Sequence, residues 1–157
     1  MREETTDPLE LDRQVCFALA VASRSIIGFY RPVLEPLGLT HPQYLVMLAL
    51  WEHSPIRFGA LATRLRLDLA TLSPLVRRLE AAGLVQRRKG EDDARVVELE
   101  PTDAGRALRE RAAEVPVRII ERLGMPIERL EALRDELTAL IAAVDAAEQH
   151  TVDANGT

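Results

Sequence analysis

The sequence is poor in cysteine, histidine and aromatic residues. Its 157 residues include one cysteine, three histidines and only 4% aromatic residues. A single cysteine cannot form an internal disulfide, which fits a reducing compartment and leaves Cys16 either inert or reactive. The histidines, His41, His53 and His150, are dispersed, and no glycine-rich phosphate-binding loop is present. We therefore expect no metal site and no cofactor.

Long apolar runs are also absent. The longest, residues 15–22 and 44–51, have eight residues each, whereas a membrane-spanning helix needs about 20. The N-terminus opens Met-Arg-Glu-Glu and no apolar core of a secretory signal follows it. These features predict no membrane span and a cytoplasmic location.

The charge is distributed unevenly along the chain. The net charge is −5, but residues 57–90 contain eight basic and two acidic residues, a sum of +6, so the remainder carries −11. A basic segment on an acidic chain would attract phosphate at one place and repel it elsewhere. The segment is either a nucleic-acid-binding surface or an ordinary solvated charged face.

Apolar spacing and helix-start residues predict a mainly helical chain. Asp7 with Glu10, and Thr40 with Gln43, have the spacing of capping boxes at two helix starts. Five helices are predicted over residues 8–31, 40–53, 58–65, 68–82 and 103–123, the last of these with a bend at Pro116, and a sixth, long helix is predicted beyond Pro126.

Two short stretches favour β-strands, residues 84–89 and 95–101, and the charged loop 90–94 joins them into a hairpin. The order helix, helix, tight turn, helix, hairpin is typical of a winged helix-turn-helix. It coincides with the basic segment. The expected fold class is mainly α with a small β-hairpin wing (α+β).

Both ends of the chain carry apolar stripes. Beyond Pro126 the stripe has the spacing of a two-stranded coiled coil, through Leu130, Leu133, Leu137, Leu140, Val144 and Ala147. Such helices pack within one chain or against a second copy, and two of them favour a homodimer. The expected layout is an N-terminal dimerisation part (1–38), a winged helix-turn-helix (39–102), C-terminal dimerisation helices (103–147) and a disordered tail (148–157).

In a winged helix-turn-helix the second helix of the motif enters the major groove of double-stranded DNA, and the wing reaches the minor groove. Small residues near the start of that helix and arginines further along suit this role, although Arg78 could equally form a surface ion pair. The candidate DNA contacts are Ala70, Thr71, Ser73, Pro74, Arg77, Arg78, Arg87, Arg88, Lys89, Asp93 and Arg95.

Several motifs resemble the MarR family of dimeric transcriptional regulators over about residues 9–147. They are the run 72–85, Asp93-Ala94-Arg95 and Thr102-Asp103-Ala104-Gly105. The run 14–19, Tyr30-Arg31-Pro32 and the run 39–44 further resemble the organic-hydroperoxide-sensing OhrR branch, in its one-cysteine type. The resemblance implies a regulator that represses from its operator and is not an enzyme.

In that branch the counterpart of Cys16 is the sensing thiol, which a hydroperoxide oxidises to a sulfenic acid before DNA is released, with a small thiol as a further partner. The resemblance places Tyr30 of a second copy beside it, whereas tyrosines usual in the branch are replaced by Ala20 and His41. His41 is a candidate donor or counter-ion for the thiolate. Counted from residue 8, Cys16 would lie beyond the first helical turn, so side chains would have to supply positive charge.

Three other functions remain open on the sequence. A MarR-type regulator could respond to a small aromatic ligand instead of an oxidant. Cys16 with His41 could form a thiol peroxidase, or the hairpin could serve protein interaction without DNA. Neither of the last two explains the basic segment.

Overall fold

The computed structural model describes the backbone of residues 7–155 and the side chains of residues 7–150. Its first long helix, α1, spans Val15–Leu34, and the predicted start near residue 8 is wrong. The Asp7 side chain accepts from the N–H of Leu9 within a local turn. The Gln14 amide donates to the carbonyls of Pro8 and Glu10, which closes this segment off from the helix.

Helix α2 (His41–His53) is confirmed together with its capping box. The Gln43 side chain accepts from the Thr40 N–H at 2.9 Å, and Thr40 Oγ1 accepts from the Gln43 N–H at 3.5 Å. Between α1 and α2 the chain turns at Gly38, whose φ of +69° favours glycine. Helix α2 is buried at its centre and packs against α1.

A helix-turn-helix follows, formed by α3 (Phe58–Leu65) and α4 (Leu69–Ala81). Both helices are confirmed. The inward face of α4 buries Leu72, Val76 and Leu79, as its apolar spacing predicts. Because α2 contacts both α3 and α4, it supports the motif from behind.

The wing is a three-stranded antiparallel sheet rather than the predicted two-stranded hairpin. Strands β2 (Val85–Lys89) and β3 (Val97–Pro101) form the hairpin, and β1 (Ile56–Arg57) adds to the free edge of β3. A strand of two residues is too short to show alternation, so sequence patterning could not reveal it.

The predicted bend at Pro116 is instead a break between two helices. Helix α5 spans Asp103–Ala112, and α6 begins at Val115 and ends at Leu123. Proline fits the first turn of a helix, so Pro116 starts α6 instead of bending a longer one.

The chain divides into two compact units at this point, one up to Val115 and one from Pro116. In the second unit, α7 spans Ile127–Asn155, through residues for which the sequence predicted a disordered tail. The last two residues of that tail, 156 and 157, lie outside the described residues.

The core of the first unit gathers around α2. It includes Leu34 from α1, Met47 and Leu50 from α2, Leu72 from α4 and Leu99 from β3, all with no exposed surface. This core holds α4 and the wing in fixed positions relative to each other.

One helix has the length and composition of a membrane span, although the sequence predicted none. It covers Val15–Leu37 and has a mean hydropathy of 1.2, because isolated charges interrupt apolar runs without lowering the average much. Core helices of soluble proteins share this length and composition. Only 11% of this apolar stretch is buried.

Candidate nucleic-acid interface and thiol site

Helix α4 presents its outward face to solvent. Its N-cap Asp68 accepts from the Thr71 N–H at 2.6 Å, and this hydrogen bond lowers the pKa of the Asp68 carboxyl. Ala70, Thr71, Arg77 and Arg78 are exposed. A helix with the small residues Ala70 and Thr71 near its start and cationic side chains further along has a surface suited to a major groove.

Two other predicted contacts on α4, Ser73 and Pro74, are half-buried. They lie between the exposed residues and the core-facing Leu72 and Val76, so a smaller part of each is available to DNA. DNA could therefore reach the neighbouring exposed residues of α4 more readily than Ser73 and Pro74.

The wing tip is shaped by Asp93 and presents Arg95. The Asp93 carboxylate accepts from the Arg95 N–H at 2.9 Å, and its backbone carbonyl accepts from the Val96 N–H at 3.0 Å. Gly90 donates to the Val96 carbonyl at 2.8 Å, which closes the loop. Asp93 thus acts on the backbone, and the exposed Arg95 is the side chain that the loop holds out.

Two predicted DNA contacts, Arg87 and Arg88, form ion pairs with carboxylates. Arg87 forms an ion pair with Glu80 of α4 at 2.8 Å. The guanidinium of Arg88 lies 2.8 Å from Glu91 and 3.3 Å from Glu98, and the hydrogen bond from Arg88 to Glu91 raises the pKa of Arg88. The sequence did not reveal these pairs, because Glu80 and Glu98 approach the two arginines only when the chain folds.

Four cations of the predicted interface have no such partner. Within the part of the chain whose side chains are described, Arg77, Arg78, Lys89 and Arg95 form no ion pair. The positive charge available to DNA is therefore smaller than the segment sum of +6 suggests, but it lies on the recognition helix and the wing.

Cys16 is exposed and occupies the second position of α1. The prediction that it lies beyond the first helical turn is wrong, because α1 begins at Val15. The unpaired N–H groups of a first turn carry partial positive charge and favour anions. The reason given for expecting positive charge from side chains alone therefore does not hold.

Tyr30 and His41 lie in contact at the other end of α1. Their ring centroids are 5.1 Å apart in an edge-to-face arrangement, and Tyr44, which the sequence did not single out, lies 6.2 Å from Tyr30. Burial raises the pKa of both tyrosines and lowers the pKa of His41. A neutral His41 suits hydrogen bonding better than the role of a counter-ion.

Within one chain Cys16 and Tyr30 are separate. They are fourteen residues apart on one helix, which is about 21 Å at 1.5 Å per residue. The described chain therefore brings together two of the three predicted sensor residues, Tyr30 and His41, and leaves the thiol apart from them.

A pocket of about 360 Å³ opens beside His41. It lies between the end of α1 and the start of α2, and its lining combines apolar Ile27 and Leu39 with Arg31, Glu35 and His41. Sequence reasoning did not locate it, because the turn at Gly38 that creates the space has no signature of a binding site.

Comparisons with known proteins agree with this architecture. The model of the MarR family matches residues 39–97. The organic hydroperoxide resistance transcriptional regulator of Bacillus subtilis is 36% identical over 139 residues, covering 88% of this chain and 95% of the relative.

Solved structures are similar over most of the chain. One is reduced AbfR bound to DNA, with a TM-score of 0.69, 30% identity, and coverage of 85% of this chain and 94% of that one. Another is CouR from Rhodococcus jostii bound to p-coumaroyl-CoA, with a TM-score of 0.72, 27% identity, and coverage of 84% and 94%. With its helix-turn-helix, its wing and these relatives, the chain belongs to the MarR family of DNA-binding winged-helix transcriptional regulators.

Proposed function

We propose that the chain is a homodimeric repressor that leaves its operator when an organic hydroperoxide oxidises Cys16. The observation that carries the proposal is the separation of the sensor along α1: an exposed thiol in its first turn, and the Tyr30–His41 contact near its end. The Bacillus subtilis relative, named for organic hydroperoxide resistance, supports the same class of signal.

On DNA, α4 would lie in the major groove and the wing tip in the minor groove. Thr71 and Ser73 would contact phosphates or base edges, and Arg77 and Arg78 would contact phosphates or guanine. Arg95 would reach the minor groove from the wing. Two copies would bind the two halves of a pseudo-palindromic site.

A dimer would complete the sensor. Helix α1 exposes Val15, Leu19, Val21 and Ile27, an apolar surface that a second copy could cover. If the two α1 helices run antiparallel, the start of one lies beside the end of the other. This arrangement would place Cys16 of one copy near Tyr30 and His41 of the second.

The chemistry is a two-electron oxidation. The Cys16 thiolate attacks the outer oxygen of the hydroperoxide, an S–O bond forms, and the O–O bond breaks. The alkoxide that leaves takes up a proton and departs as the alcohol. The sulfenic acid can then condense with a small thiol to give a mixed disulfide and water.

The proposal is tested by DNA binding with and without cumene hydroperoxide at fixed salt, on DNA from upstream of the chain's own gene. We expect the unmodified protein to bind and to be released by the oxidant, and the Cys16→Ser variant to bind and to stay bound. Because Cys16 is the only cysteine, this variant removes every thiol. Release of both proteins, or of neither, would contradict the thiol switch.

The same experiment separates a switch from an enzyme. A switch consumes about one hydroperoxide per subunit, whereas a thiol peroxidase turns over when a thiol reductant is supplied. We expect the amount of alcohol formed to match the number of Cys16 thiols, with no catalytic consumption of hydroperoxide. Measuring the alcohol formed per subunit distinguishes the two.

We infer that helix α1 is apolar because it packs in the proposed dimer, and not because it lies in a membrane. A DNA-binding regulator works in the compartment that holds the DNA, so we infer a cytoplasmic location. Cell fractionation should find the protein in the soluble fraction without detergent.

A second candidate function is release by a small aromatic ligand, which the pocket beside His41 favours. Its apolar wall at Ile27 and Leu39 could hold a ring, and Arg31 could pair with a carboxylate. CouR, a structural relative, binds an aromatic thioester of coenzyme A. In this case benzoate or cinnamate would release Cys16→Ser from DNA as readily as the unmodified protein, and Leu39→Trp, which fills the pocket, would abolish the response.

A further inference from the structure

The ion pairs of Arg88 form a cluster that spans the base of the wing. Its guanidinium reaches Glu98 on the neighbouring strand β3 at 3.3 Å, Glu100 at 3.5 Å, and Glu91 at the start of the wing loop at 2.8 Å. Glu98 is also the direct cross-strand neighbour of Arg88. One side chain thus connects two strands and the loop.

The cluster continues into α5. Arg106 lies 3.7 Å from Glu100 and 3.3 Å from Asp103. The cluster therefore links the wing to the helix that follows it, through Glu100, which contacts both arginines. Gln86, on the same face of β2, donates to Glu100 at 2.8 Å and closes the group.

Burial separates this cluster from ordinary surface pairs. The side chains of Arg88, Glu98 and Glu100 are 26%, 19% and 15% exposed. Exposed pairs contribute little because water screens them, whereas half-buried charges depend on their partners and hold one geometry. Arg88 is accordingly fixed and is not extended toward solvent.

The sign of the cluster opposes a direct contact with DNA. Two arginines lie among four carboxylates, those of Glu91, Glu98, Glu100 and Asp103, so the group is net negative. A phosphate approaching Arg88 would meet these carboxylates. The cationic tip at Arg95 lies beyond the cluster, at the end of the loop that Glu91 begins.

We propose that Arg88 is a positioning residue, which sets the orientation of the wing and thereby the minor-groove contact of Arg95 without touching DNA itself. The proposal rests on the wing-tip contact of Arg95 proposed above and is independent of the thiol switch.

A salt series provides the first test. Each phosphate contact that is lost reduces the slope of log affinity against log salt by about 0.9. Arg88→Gln should lower affinity for the upstream DNA by about tenfold and should reduce the slope no more than Arg95→Gln does, because it acts through the contact of Arg95. Arg78→Gln, on the recognition helix, is the matched control and should lower both affinity and slope on its own account. A slope reduced further by Arg88→Gln than by Arg95→Gln would overturn the proposal, because it would mean that Arg88 contacts a phosphate directly.

A double-mutant cycle provides the second. If Arg88 acts through Arg95, Arg88→Gln should cost nothing further once Arg95→Gln is present, whereas it should add fully to Arg77→Gln. A general loss of folding would add to both and would overturn the proposal. If Arg95→Gln binds DNA like the unmodified protein, the wing-tip contact proposed above is wrong and the proposal for Arg88 fails with it. The Arg95→Gln single variant alone shows whether this is so.

In the third test, a charge effect and a positioning effect predict opposite changes in DNA affinity. Glu98→Gln removes a negative charge, so charge alone predicts tighter DNA binding. Positioning predicts weaker binding, because Arg88 loses a partner. Thermal unfolding followed by circular dichroism verifies that Glu98→Gln is folded at the assay temperature. Tighter binding by the folded variant would overturn the proposal.

Discussion

The thiol of Cys16 lies in the first turn of α1 and is exposed to solvent. A side chain at the second position of a helix points back toward the helix N-terminus. A hydroperoxide can therefore reach the sulfur in the single chain. Because the thiolate is the reactive form of cysteine, the proposed oxidation also depends on a donor, which Tyr30 of a second copy would provide.

Tyr30→Phe should slow the oxidation of Cys16 without unfolding the protein. The ring keeps its contact with His41, but the hydroxyl that would donate to the thiolate of the second copy is lost. A hydrogen bond to a charged group contributes about 1.5–3 kcal/mol, so a decrease in rate of at least about tenfold is expected. The rate is measured as loss of free thiol after timed exposure to cumene hydroperoxide.

Tyr44→Phe is the matched control for that variant. Tyr44 belongs to the same aromatic group, but its side chain is buried. Removal of its hydroxyl should leave the oxidation rate near that of the unmodified protein. Equal slowing by both substitutions would show that general packing, and not the Tyr30 hydroxyl, controls the rate.

His41 should make folding less favourable in mild acid. Burial lowers its pKa in the folded chain below the ordinary value of 6.5. Between these two values the unfolded state binds more protons, so stability contributed by neutral His41 is present above pH 6.5 and is lost as pH falls toward the folded pKa. Urea unfolding across this range should show a steeper decline for the unmodified protein than for His41→Gln.

The general effect of acid is common to the unmodified protein and to His41→Gln, so the difference between their profiles isolates this imidazole. If His41→Gln declines as steeply as the unmodified protein, the folded environment does not disfavour the charged imidazole.

At the scale of elements, α5 and the wing meet at a point that only glycine permits. A Cβ on Gly105 would overlap the Leu84 carbonyl oxygen, which is backbone and cannot easily move. Trp51 of α2 also donates to the Gly105 carbonyl at 2.8 Å. Three elements, α2, the start of the wing and α5, therefore depend on this close approach.

Gly105→Ala should destabilise the fold by about 2 kcal/mol or more, because the backbone must shift to relieve the overlap. Trp51 is the only tryptophan, so its fluorescence reports the change directly during urea unfolding. Gly59→Ala is the control, since a Cβ there meets nothing within 4 Å inside α3. It should stabilise by about 0.5–1 kcal/mol. Equal effects of the two substitutions would contradict the close-packing argument.

The elements that the sequence predicted well are those with strong local signals. The Thr40–Gln43 capping box fixed the start of α2, and the apolar spacing of α4 predicted which side chains are buried. The Asp7 signal failed, because its carboxylate was satisfied by the N–H of Leu9 in a separate turn. A local signal decides an element only where no competing local bond exists.

The rest depends on contacts between distant residues. The edge strand β1 exists because β3 offers it a partner, and the ion pairs of Arg87 and Arg88 form with carboxylates that folding brings close. Within the candidate site, the sequence identified Tyr30 and His41, and these two residues are in contact. It did not identify Tyr44 as their neighbour, or the pocket, because both depend on the turn at Gly38 that brings α2 beside α1.

At the scale of the whole molecule, charge alone would keep this protein away from DNA. The net charge is −5, so binding depends on presenting a few unpaired cations at one place while the rest of the surface repels phosphate. A single copy offers only a few such cations. Two copies on one operator would double the contacts and steepen the salt dependence, so the proposed repression depends on the proposed dimer.

Leu140→Glu should convert the dimer to a monomer and abolish operator binding. The stripe on α7 leaves Leu133, Leu140 and Val144 exposed, and a carboxylate at its centre would be buried without a partner in the proposed dimer. Ala142→Glu introduces the same charge about 160° away around the helix axis, outside the stripe, and should leave the dimer intact. Light scattering after size exclusion gives the mass of each species, and anisotropy on the same samples gives DNA affinity. A monomeric Leu140→Glu that still bound the palindromic site tightly would show that one copy suffices, against the proposed assembly.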